Sequence, residues 1–319
     1  MIGMKFLFIS PRYSGGIGGH AEMLANQLEN AGHSVTKMKI PHIPIKNLKN
    51  PSFAIFGTIK SILNRENYDI VHAFNVPSAF AMRYAKGKKK VLSVHGMFSE
   101  QVNSLHSKAV SSIASNAESK VLKWADKLTT DSKITQKLYK EKLGFDFNHL
   151  PSAIDTDKLD DIPDVVKLEK QIIYLGRNSF EKGFDILKKI ESKINGNIIY
   201  CTDLSWEDAM IELKQSSLLV VPSRMESLPT NIKEAFYFKI PVIANNVGGI
   251  PELITNDYSG ILVPSGNNPK LVTAINDLLS DSERSLSFGN AGYNFVIDNL
   301  TWKKVLPKYV DFYTNLLNS

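Results

Sequence analysis

Two glutamates that stand eight positions apart, Glu226 and Glu234, are the strongest candidates for a binding site in this sequence. Glu226 follows the apolar run Leu218–Val221 through a short turn, and Glu234 lies on the helix that is predicted next. Open parallel sheets bind ligands beyond the carboxyl ends of their strands, so both carboxylates can accept hydrogen bonds from the hydroxyls of one sugar-containing ligand. Glutamates at this spacing are more often surface acids, but the strand and helix around this pair favour a binding site.

The residues between the two glutamates suit an anionic group. Pro229 fits the first turn of the helix, and the backbone N–H groups near Thr230 and Asn231 have no acceptor within that turn. Such N–H groups, together with the positive end of the helix dipole, bind phosphate. The stretch from residue 224 to residue 235 therefore predicts a site for a ligand with both hydroxyl and phosphate groups.

A pair of basic residues, Arg177 and Lys182, follows the apolar run at residues 171–176 and precedes Gly183. Arginine offers a planar fork of N–H donors, and lysine offers a compact positive charge. Together they could neutralise a diphosphate leaving group without a metal ion. Either residue alone could be a surface ion-pair partner, but the order of strand, Gly-Arg, Lys-Gly and helix favours a diphosphate site.

A glycine-rich stretch at residues 15–19 separates the first apolar run from a helix that we expect to begin near His20. Glycines let the backbone approach a ligand closely, and the helix N-terminus attracts an anion. The stretch formally matches the dinucleotide-binding pattern G-x-G-x-x-A, so an NAD(P)-dependent oxidoreductase is one alternative. Lys37 and Lys39 stand where that class needs an acidic ribose ligand, which disfavours this alternative.

Histidines and acidic pairs supply fewer candidates. His20 and His95 follow predicted strands at glycines and remain candidate site residues, and His72 is expected to follow a buried strand and to shape the ligand cleft. The other histidines are expected at the surface or hydrogen-bonded in the core: His33, His42, His106 and His149. Asp155 and Asp157 resemble a metal-binding D-x-D pair, but they fall in a predicted linker, and we interpret them as structural. No metal site is predicted.

Short apolar runs alternate with segments of helical period along the whole sequence, which is typical of βαβ units that build parallel sheets. Uninterrupted runs of isoleucine, leucine and valine indicate strands that are buried on both faces. The predicted strands are residues 5–10, 34–40, 69–74, 90–94, 127–130, 171–176, 197–201, 218–221, 241–245 and 260–263. Amphipathic helices are predicted over residues 104–126 and 302–317.

The 319 residues exceed one ordinary core, and two domains of about 150 residues are expected. Residues 151–170 carry two prolines and a cluster of aspartates, and they interrupt the strand–helix alternation. We interpret this segment as the linker between two doubly wound α/β domains. The predicted division is residues 1–152, residues 153–300 and a terminal helix over residues 301–319.

The charge is unevenly placed, since residues 1–150 carry 21 Lys and Arg against 10 Asp and Glu, and residues 151–319 carry 17 against 22. The basic half, with four lysines within residues 86–90, could contact an anionic membrane surface, although a solvated lysine-rich face explains it equally well. No nucleic-acid-binding motif accompanies the charge, so nucleic acid is not expected as a partner. The single cysteine, Cys201, and the absence of a long apolar stretch favour a cytoplasmic protein.

Taken in order, these motifs resemble the family 4 retaining glycosyltransferases, which have two Rossmann-like domains in the GT-B arrangement. The resemblance covers essentially the whole chain, and the combination of motifs is specific although no single motif is. The matching segments are residues 18–20, 69–72, 93–96, Glu118, 125–126, Ser132, 154–155, 176–177, 182–183, the pair Glu226 and Glu234, 248–252 and 260–264.

The resemblance implies a role for each candidate residue. Arg177 and Lys182 would hold the diphosphate of a nucleotide-sugar donor, Glu234 the ribose hydroxyls and Glu226 the transferred sugar. His95 would lie beside that sugar at the reaction centre. Gly18 and Gly19 would form the loop that closes on phosphate or acceptor, and further donor contacts would come from Ser227, Leu228 and Thr230.

The same resemblance implies how the domains share the reaction. The donor would lie mainly on the C-terminal domain in an interdomain cleft, the acceptor would contact the N-terminal domain, and the terminal helix would return to that domain. The length of the C-terminal domain departs from the family pattern, since only 42 residues separate Gly183 from Glu226 and Thr202-Asp203-Leu204 replaces a glycine-rich turn. These differences predict a C-terminal domain that is shorter by about one βα unit, which keeps a catalytically silent GT-B protein as an alternative. Smaller departures are Ser152-Ala153 in place of Asn-Gly and Leu228-Pro229 in place of Phe-Gly.

The sequence thus predicts a metal-independent retaining glycosyltransferase that uses a nucleotide-diphosphate sugar and needs no cofactor. Its acceptor would be a glycan or a lipid-linked molecule at the inner face of the membrane, as in the synthesis of cell-envelope polysaccharides. The alternative is a silent relative that binds a glycan or a partner enzyme, and an oxidoreductase ranks far below both.

Overall fold

The structure of the chain is a computed structural model, and it describes residues 3–10, 16–43, 45, 48–96 and 118–319. The chain divides into two compact units. The first unit consists of Met1–Ser152 together with Val305–Ser319, and the second is Ala153–Lys304. Each unit is built around a parallel sheet, which confirms the predicted fold class of two doubly wound parallel-sheet domains.

The first unit has a sheet of six parallel strands with helices between them. The strands are β1 Lys5–Ile9, β2 Ser34–Met38, β3 Tyr68–Phe74, β4 Gly87–Ser93, β5 Lys127–Thr130 and β6 Phe147–His149. The helices are α1 Gly16–Asn30, α2 Lys49–Leu63, α3 Ser78–Tyr84 and α4 Lys133–Leu143. Alternate residues of β1 face opposite layers: Phe6 contacts the ring of Tyr313, and Leu7 belongs to the core that contains Phe53.

The second unit has a sheet of five parallel strands. The strands are β7 Gln171–Leu175, β8 Asn197–Cys201, β9 Leu218–Val221, β10 Val242–Asn245 and β11 Gly260–Val263. The helices are α5 Thr156–Asp160, α6 Phe184–Ile190, α7 Trp206–Gln215, α8 Thr230–Tyr237, α9 Ile250–Leu253, α10 Asn268–Ser280 and α11 Ser282–Asn299, with a 3₁₀ turn at Glu191–Lys193. The chain ends in α12, Trp302–Asn318.

The two sheets share one topology. The strand order is β2-β1-β3-β4-β5-β6 in the first unit and β11-β10-β9-β7-β8 in the second. In each sheet the direction of winding reverses between two neighbouring strands, β1 and β3 in the first and β7 and β9 in the second. Loops that leave these strands diverge to opposite faces, so a ligand crevice opens at the carboxyl ends of each pair.

All ten predicted strands are present, with ends that shift by up to three residues, but other details of the prediction were wrong. The strand β6 was missed because it has only three residues, of which Asn148 and His149 are polar. Helix α1 begins at Gly16 rather than near His20. Ile17, Ala21 and Leu24 have helical spacing, and their packing outweighs the cost of about 1 kcal/mol that each glycine adds to a helix. Residues 11–15 and most of the predicted helix 104–126 lie outside the described residues. In the part of that helix that the structure describes, residues 118–122 are helical.

The predicted linker, residues 151–170, contains the boundary between the two units, but from Ala153 onward it belongs to the second unit. Ile154 and Leu159 are buried in the core of the second unit. The side chain of Asp155 accepts a hydrogen bond from the backbone N–H of Lys158 at 3.4 Å and caps α5. Asp155 therefore has the structural role that its position indicated, because its carboxylate satisfies a free N–H at a helix end.

Helix α12 is fastened to the first unit by two buried tyrosines. The hydroxyl of Tyr313 lies 2.8 Å from Nδ1 of His72, whose Nε2 lies 2.7 Å from Oγ of Ser93. The hydroxyl of Tyr309 lies 2.9 Å from Nε2 of His20. His72 lies within β3, although it was predicted to follow the strand. Burial lowers its pKa well below 6.5, and the nearby His20 and His95 lower it further. A neutral imidazole with one donor and one acceptor nitrogen fits this chain of hydroxyls.

We expect Tyr313→Phe to lower the free energy of unfolding by about 1–2 kcal/mol. The substitution keeps the buried ring but leaves Nδ1 of His72 without its hydroxyl partner. Urea denaturation measures the change, and Tyr258→Phe is the matched control because Tyr258 is exposed. Equal effects of the two substitutions would show that the buried hydrogen bond contributes nothing.

None of the helices within the described residues combines the length and apolar character that crossing a lipid bilayer requires.

Candidate functional site

The predicted site residues of the second unit surround the reversal point of its sheet. The neighbouring strands β7 and β9 pair in parallel, and Arg177 follows the first while Glu226 follows the second. Helix α8 begins at Thr230, directly after this turn, and carries Glu234. Pro229 precedes the first turn of α8 rather than lying in it. The fold thus brings the predicted basic and acidic groups to one edge of one sheet.

Lys182 and Glu226 are in direct contact. Nζ of Lys182 lies 2.6 Å from Oε1 of Glu226, and Oγ of Ser223 donates to the same oxygen at 2.8 Å. The Glu226 side chain is 8% exposed and the Lys182 side chain 27% exposed. The contact therefore joins a largely buried carboxylate to an ammonium group that still reaches solvent. The sequence predicted both residues but gave no indication that they pair.

Two glycines let the loops around this ion pair approach one another. Gly183 has a φ of +69°, and a Cβ there would lie 2.1 Å from the carbonyl oxygen of Pro222. Gly248 has a φ of +52°, and a Cβ there would lie 1.8 Å from the carbonyl oxygen of Glu226. Contacts this short are impossible for any side chain, so the backbone around Glu226 depends on both glycines.

Glu234 is buried on α8, where Nε1 of Trp206 donates to its Oε1 at 2.9 Å. Burial raises the pKa of Glu234 above its ordinary value, and the Trp206 hydrogen bond opposes part of that rise. The carboxylate thus has one fixed donor and further lone pairs that can accept hydroxyl groups. Trp206 was not predicted as a site residue, since only the fold brings α7 against α8.

The remaining donor-site candidates differ in exposure. Arg177 is exposed, and its carbonyl accepts a hydrogen bond from the hydroxyl of Tyr174 at 2.7 Å. Ser227 and Thr230 are half-buried, whereas Leu228 is a buried member of the core. Nδ2 of Asn231 donates to the carbonyl of Leu175 at 2.8 Å, which ties the start of α8 to the end of β7. Leu228 thus shapes this turn through packing.

Arg224 is a positioning residue that the sequence analysis did not single out. Its guanidinium makes two hydrogen bonds of 2.7 Å with the carboxylate of Asp185 and a third with the carbonyl of Phe180. Its backbone N–H donates to the carbonyl of Glu181. These contacts fix the loop that carries Lys182 against the turn that carries Glu226. The bidentate geometry is the kind that gives Arg–carboxylate pairs their specificity.

A pocket of about 340 Å³ adjoins the Arg224–Asp185 pair. None of the residues predicted to hold the donor lines it; its lining is Asp185, Ile186, Lys189, Arg224, Ser265, Gly266 and Asn268. The predicted donor groups therefore lie outside this pocket, around the ion pair of Lys182 and Glu226.

The predicted residues of the first unit also come together. Gly18 and Gly19 form the first turn of α1, and His20 follows them as a buried residue of the helix. The ring of His20 lies 5.7 Å from the ring of His95, which follows β4. The glycines are therefore part of a helix N-terminus, which remains a favourable place for an anion.

His95 has a carboxylate partner that the sequence did not reveal. Nδ1 of His95 lies 2.9 Å from Oδ2 of Asp131, and Asp131 is buried. The His95 side chain is 15% exposed. A carboxylate on Nδ1 fixes the ring orientation and leaves Nε2 as the nitrogen that can meet a ligand. Asp131 follows β5, beside β4 in the sheet, so that only the strand order could have indicated this pair.

Within the described residues, no group of three or more His, Cys, Asp or Glu side chains is arranged to hold a metal ion.

Comparisons with known proteins agree with this arrangement. Over 95% of its length the chain is 25% identical to an uncharacterized glycosyltransferase of Methanocaldococcus jannaschii, of which it covers 96%. Sucrose-phosphate synthase of Thermosynechococcus elongatus shares the fold with a TM-score of 0.82 and 16% identity, over 98% of this chain and 99% of that one. HepE of Anabaena, in complex with UDP-glucose, gives a TM-score of 0.72 and 14% identity over 98% and 100% of the two chains.

Two family models divide the chain between them. Residues 14–158 match Glycosyltransferase Family 4, and residues 187–295 match Glycosyl transferases group 1. The first match contains His95 and the glycines of α1, and the second contains Glu226 and Glu234. The full-length likeness to the GT-B structures adds the two-domain architecture. The chain therefore belongs to the group 1, family 4 glycosyltransferases of the GT-B fold.

Proposed function

We propose that this glycosyltransferase is a retaining, metal-independent enzyme that moves a sugar from a nucleotide-diphosphate donor to a glycan or a lipid-linked acceptor. The observation that carries the proposal is the 2.6 Å contact between Lys182 and Glu226 at the reversal point of the second sheet. A cation suited to diphosphate adjoins a carboxylate suited to sugar hydroxyls there. Both chemistries of a nucleotide sugar therefore meet in one ion pair.

The neighbouring residues extend these roles. Lys182 and Arg177 would neutralise the diphosphate, so that its charge needs no metal ion. Glu234 would accept hydrogen bonds from the two ribose hydroxyls. Its carboxylate has about four lone pairs, and the Trp206 hydrogen bond occupies one of them. The UDP-glucose bound to HepE supports a nucleotide sugar as the class of donor.

In the proposed reaction, retention of configuration results from attack on the face from which the leaving group departs, so that no enzyme nucleophile is needed. The bond between the anomeric carbon and the phosphate oxygen breaks, and its electron pair stays on the diphosphate. The acceptor oxygen bonds to the same face of the carbon, and its proton goes to a departing phosphate oxygen. The protein then contributes positioning and charge stabilisation, which fits a site built from fixed cations and carboxylates.

His95 would lie beside the transferred sugar, with Asp131 as its positioning residue. We expect Asp131→Asn to lower kcat for transfer about tenfold and to leave donor affinity and Tm unchanged, because the buried carboxylate orients the ring without touching the donor. Steady-state kinetics and calorimetry separate the two quantities.

Asp126→Asn provides the control for this experiment, since Asp126 is an exposed aspartate of the same unit. An unchanged kcat in Asp131→Asn, or an equal loss in Asp126→Asn, would remove the positioning role.

The acceptor side of the proposal rests on charge. The N-terminal half is strongly basic, and its lysines at residues 86, 88, 89 and 90 suit an anionic membrane surface. We therefore propose a cytoplasmic enzyme that contacts the inner face of the membrane and extends a lipid-linked glycan of the cell envelope.

A catalytically silent protein that binds a glycan or a partner enzyme is the second candidate. The observation that favours it is the sheet of the second unit, which has five strands where the first unit has six. A shorter sheet offers fewer loops to grip the nucleobase.

One experiment separates the two candidates. Calorimetric titration of a panel of nucleoside diphosphates and nucleotide sugars, with EDTA present, should reveal binding of one base. Transfer to a simple acceptor alcohol, followed by NMR, should then give a product with the anomeric configuration of the donor. An inverted product would contradict retention, and the absence of binding across the panel would favour the silent protein.

A further inference from the structure

Helix α2 of the first unit exposes most of its large apolar side chains, and its buried face consists of small residues apart from Phe53. The inward face holds Ser52, Phe53, Gly57 and Ser61. The exposed fractions of the outward residues are 58% for Ile55, 51% for Ile59, 58% for Ile62 and 72% for Leu63. A surface helix normally shows the opposite pattern, with its apolar stripe toward the core. A contiguous exposed stripe of this kind marks an interaction surface.

The inward face is fixed by close packing, so the helix cannot turn to hide the isoleucines. A Cβ at Gly57 would lie 2.9 Å from Cδ1 of Ile40 and 3.1 Å from Cβ of Ala81. Oγ of Ser61 lies 3.6 Å from the sulfur of Met38. A larger residue at either position would separate α2 from the sheet and from α3, and rotation of the helix would bring isoleucines into this space.

Helix α3 continues the surface beside α2. Phe80 and Tyr84 are 37% and 47% exposed. The guanidinium of Arg83 lies over the rings of Tyr84 and Trp124, at 5.7 Å and 4.5 Å from their centroids. Aromatic rings with a basic head group alongside are typical of surfaces that lie at the boundary between lipid and water. We call the outward residues of α2 and α3 the α2–α3 face.

Basic residues lie at the α2–α3 face. Lys60 belongs to α2, with its Nζ 2.7 Å from the carbonyl oxygen of Lys39, and Nζ of Lys90 lies 2.6 Å from the carbonyl oxygen of Arg83 in α3. Residues 30–99 contain eleven Lys and Arg and only two acids, Glu66 and Asp69. Glu66 lies 3.1 Å from Nζ of Lys5, and Asp69 lies 2.7 Å from Nζ of Lys88. Both acids are therefore neutralised by lysines. Residues 30–99 are therefore predominantly basic, and the basic groups at the two helices suit an anionic surface.

Backbone contacts place part of this charge at the end of α2. The N–H of Tyr68 donates to the carbonyl of Lys86 at 3.2 Å, so the loop that follows α2 meets the loop before β4. Arg65 and Lys86 thus lie near the end of the helix where Leu63 is exposed. Lipid phosphates next to inserted apolar side chains would meet basic groups here.

We propose that the α2–α3 face docks on an anionic lipid bilayer, with the isoleucines of α2 in the boundary between head groups and acyl chains. A second copy of the chain fits the face less well, because a symmetric contact would bring two basic surfaces together. The proposal deepens the membrane contact of the proposed function and identifies its surface. It needs no transferase activity.

Vesicle sedimentation tests the proposal with the full chain. Vesicles of phosphatidylcholine that contain roughly one third phosphatidylglycerol should bind the protein, and added salt should weaken the binding. Ile59→Asp should lower the bound fraction at least about tenfold. Leu286→Asp is the matched control, because Leu286 is an exposed apolar residue of α11 in the second unit, and it should bind like the wild type.

Equal binding of Ile59→Asp and the wild type would overturn the proposal, as would an equal loss in Leu286→Asp or equal binding to vesicles without phosphatidylglycerol. Light scattering without vesicles tests whether a second copy of the chain occupies the face instead. If the wild type is a dimer that does not bind vesicles, and Ile59→Asp is a monomer, the face is a contact between copies and the proposal is overturned. Thermal unfolding shows that the variants are folded. Donor titration in the same preparations reports on the proposed function separately.

Discussion

Replacing Glu234 by glutamine is expected to weaken nucleotide-sugar binding about 100-fold while the chain stays folded. In the proposed complex the carboxylate accepts two ribose hydroxyls, and hydrogen bonds to a charged acceptor are the strong kind. The glutamine amide oxygen can still accept from Nε1 of Trp206, so the packing of α7 against α8 is kept. Calorimetric titration of the donor that binds best measures the loss.

Stability provides an independent readout for the same substitution. Burial raises the pKa of Glu234 in the folded chain above the ordinary value of 4.5. The unfolded chain therefore releases this proton at a lower pH than the folded chain does. Between the two pKa values, the contribution of Glu234 to the free energy of unfolding falls as pH rises. Across this interval the Tm of the wild type should fall relative to that of Glu234→Gln.

Glu283→Gln is the control for both measurements, because Glu283 is an exposed glutamate on α11 of the same unit. It should leave donor affinity and the pH dependence of Tm unchanged. Full donor affinity in Glu234→Gln would contradict the ribose contact. A parallel pH dependence in wild type and Glu234→Gln would contradict the effect of burial on the pKa.

Replacing Gly248 by alanine is expected to abolish transfer and to lower the free energy of unfolding by about 3 kcal/mol. The new methyl group would lie 1.8 Å from the carbonyl oxygen of Glu226, and the φ of +52° disfavours any side chain. The turn after β9 must then move, and the ion pair of Glu226 with Lys182 moves with it. Activity assays and urea denaturation measure the two effects.

Gly266→Ala separates the clash from the backbone strain. Gly266 has a φ of +85°, but a Cβ there would have no heavy atom within 4 Å. Its replacement should lower the free energy of unfolding by only about 1 kcal/mol and leave transfer intact. If Gly248→Ala behaved like Gly266→Ala, the turn around Glu226 would be free to move without consequence for the site.

Much of the fold could be predicted from local pattern. Buried strands such as β7 and β9 are runs of consecutive apolar residues, and glycines or prolines often mark their ends. The carboxyl ends of such strands already locate Arg177 and Glu226. Both were predicted because each lies within five residues of the end of a strand that the sequence marks clearly.

The contacts that position these residues could not be predicted in the same way. The pairs Lys182–Glu226, Arg224–Asp185 and Asp131–His95 join side chains that are 44, 39 and 36 positions apart. Such pairs depend on strand order and loop path, which composition and periodicity do not specify. The start of α1 was misplaced for a related reason, since three glycines suggested a loop where buried neighbours stabilise a helix.

The terminal helix has a consequence for the order in which the chain folds during synthesis. The second unit is one continuous segment, Ala153–Lys304, whereas the first unit needs Val305–Ser319 as well as Met1–Ser152. Tyr309 and Tyr313 are translated after the whole second unit, and until then the tyrosine hydroxyls that contact His20 and His72 are not in place. The first unit can therefore be completed only after the second unit has been translated. A stop codon shortly before Tyr309 would leave the first unit unfinished although most of its residues had been made.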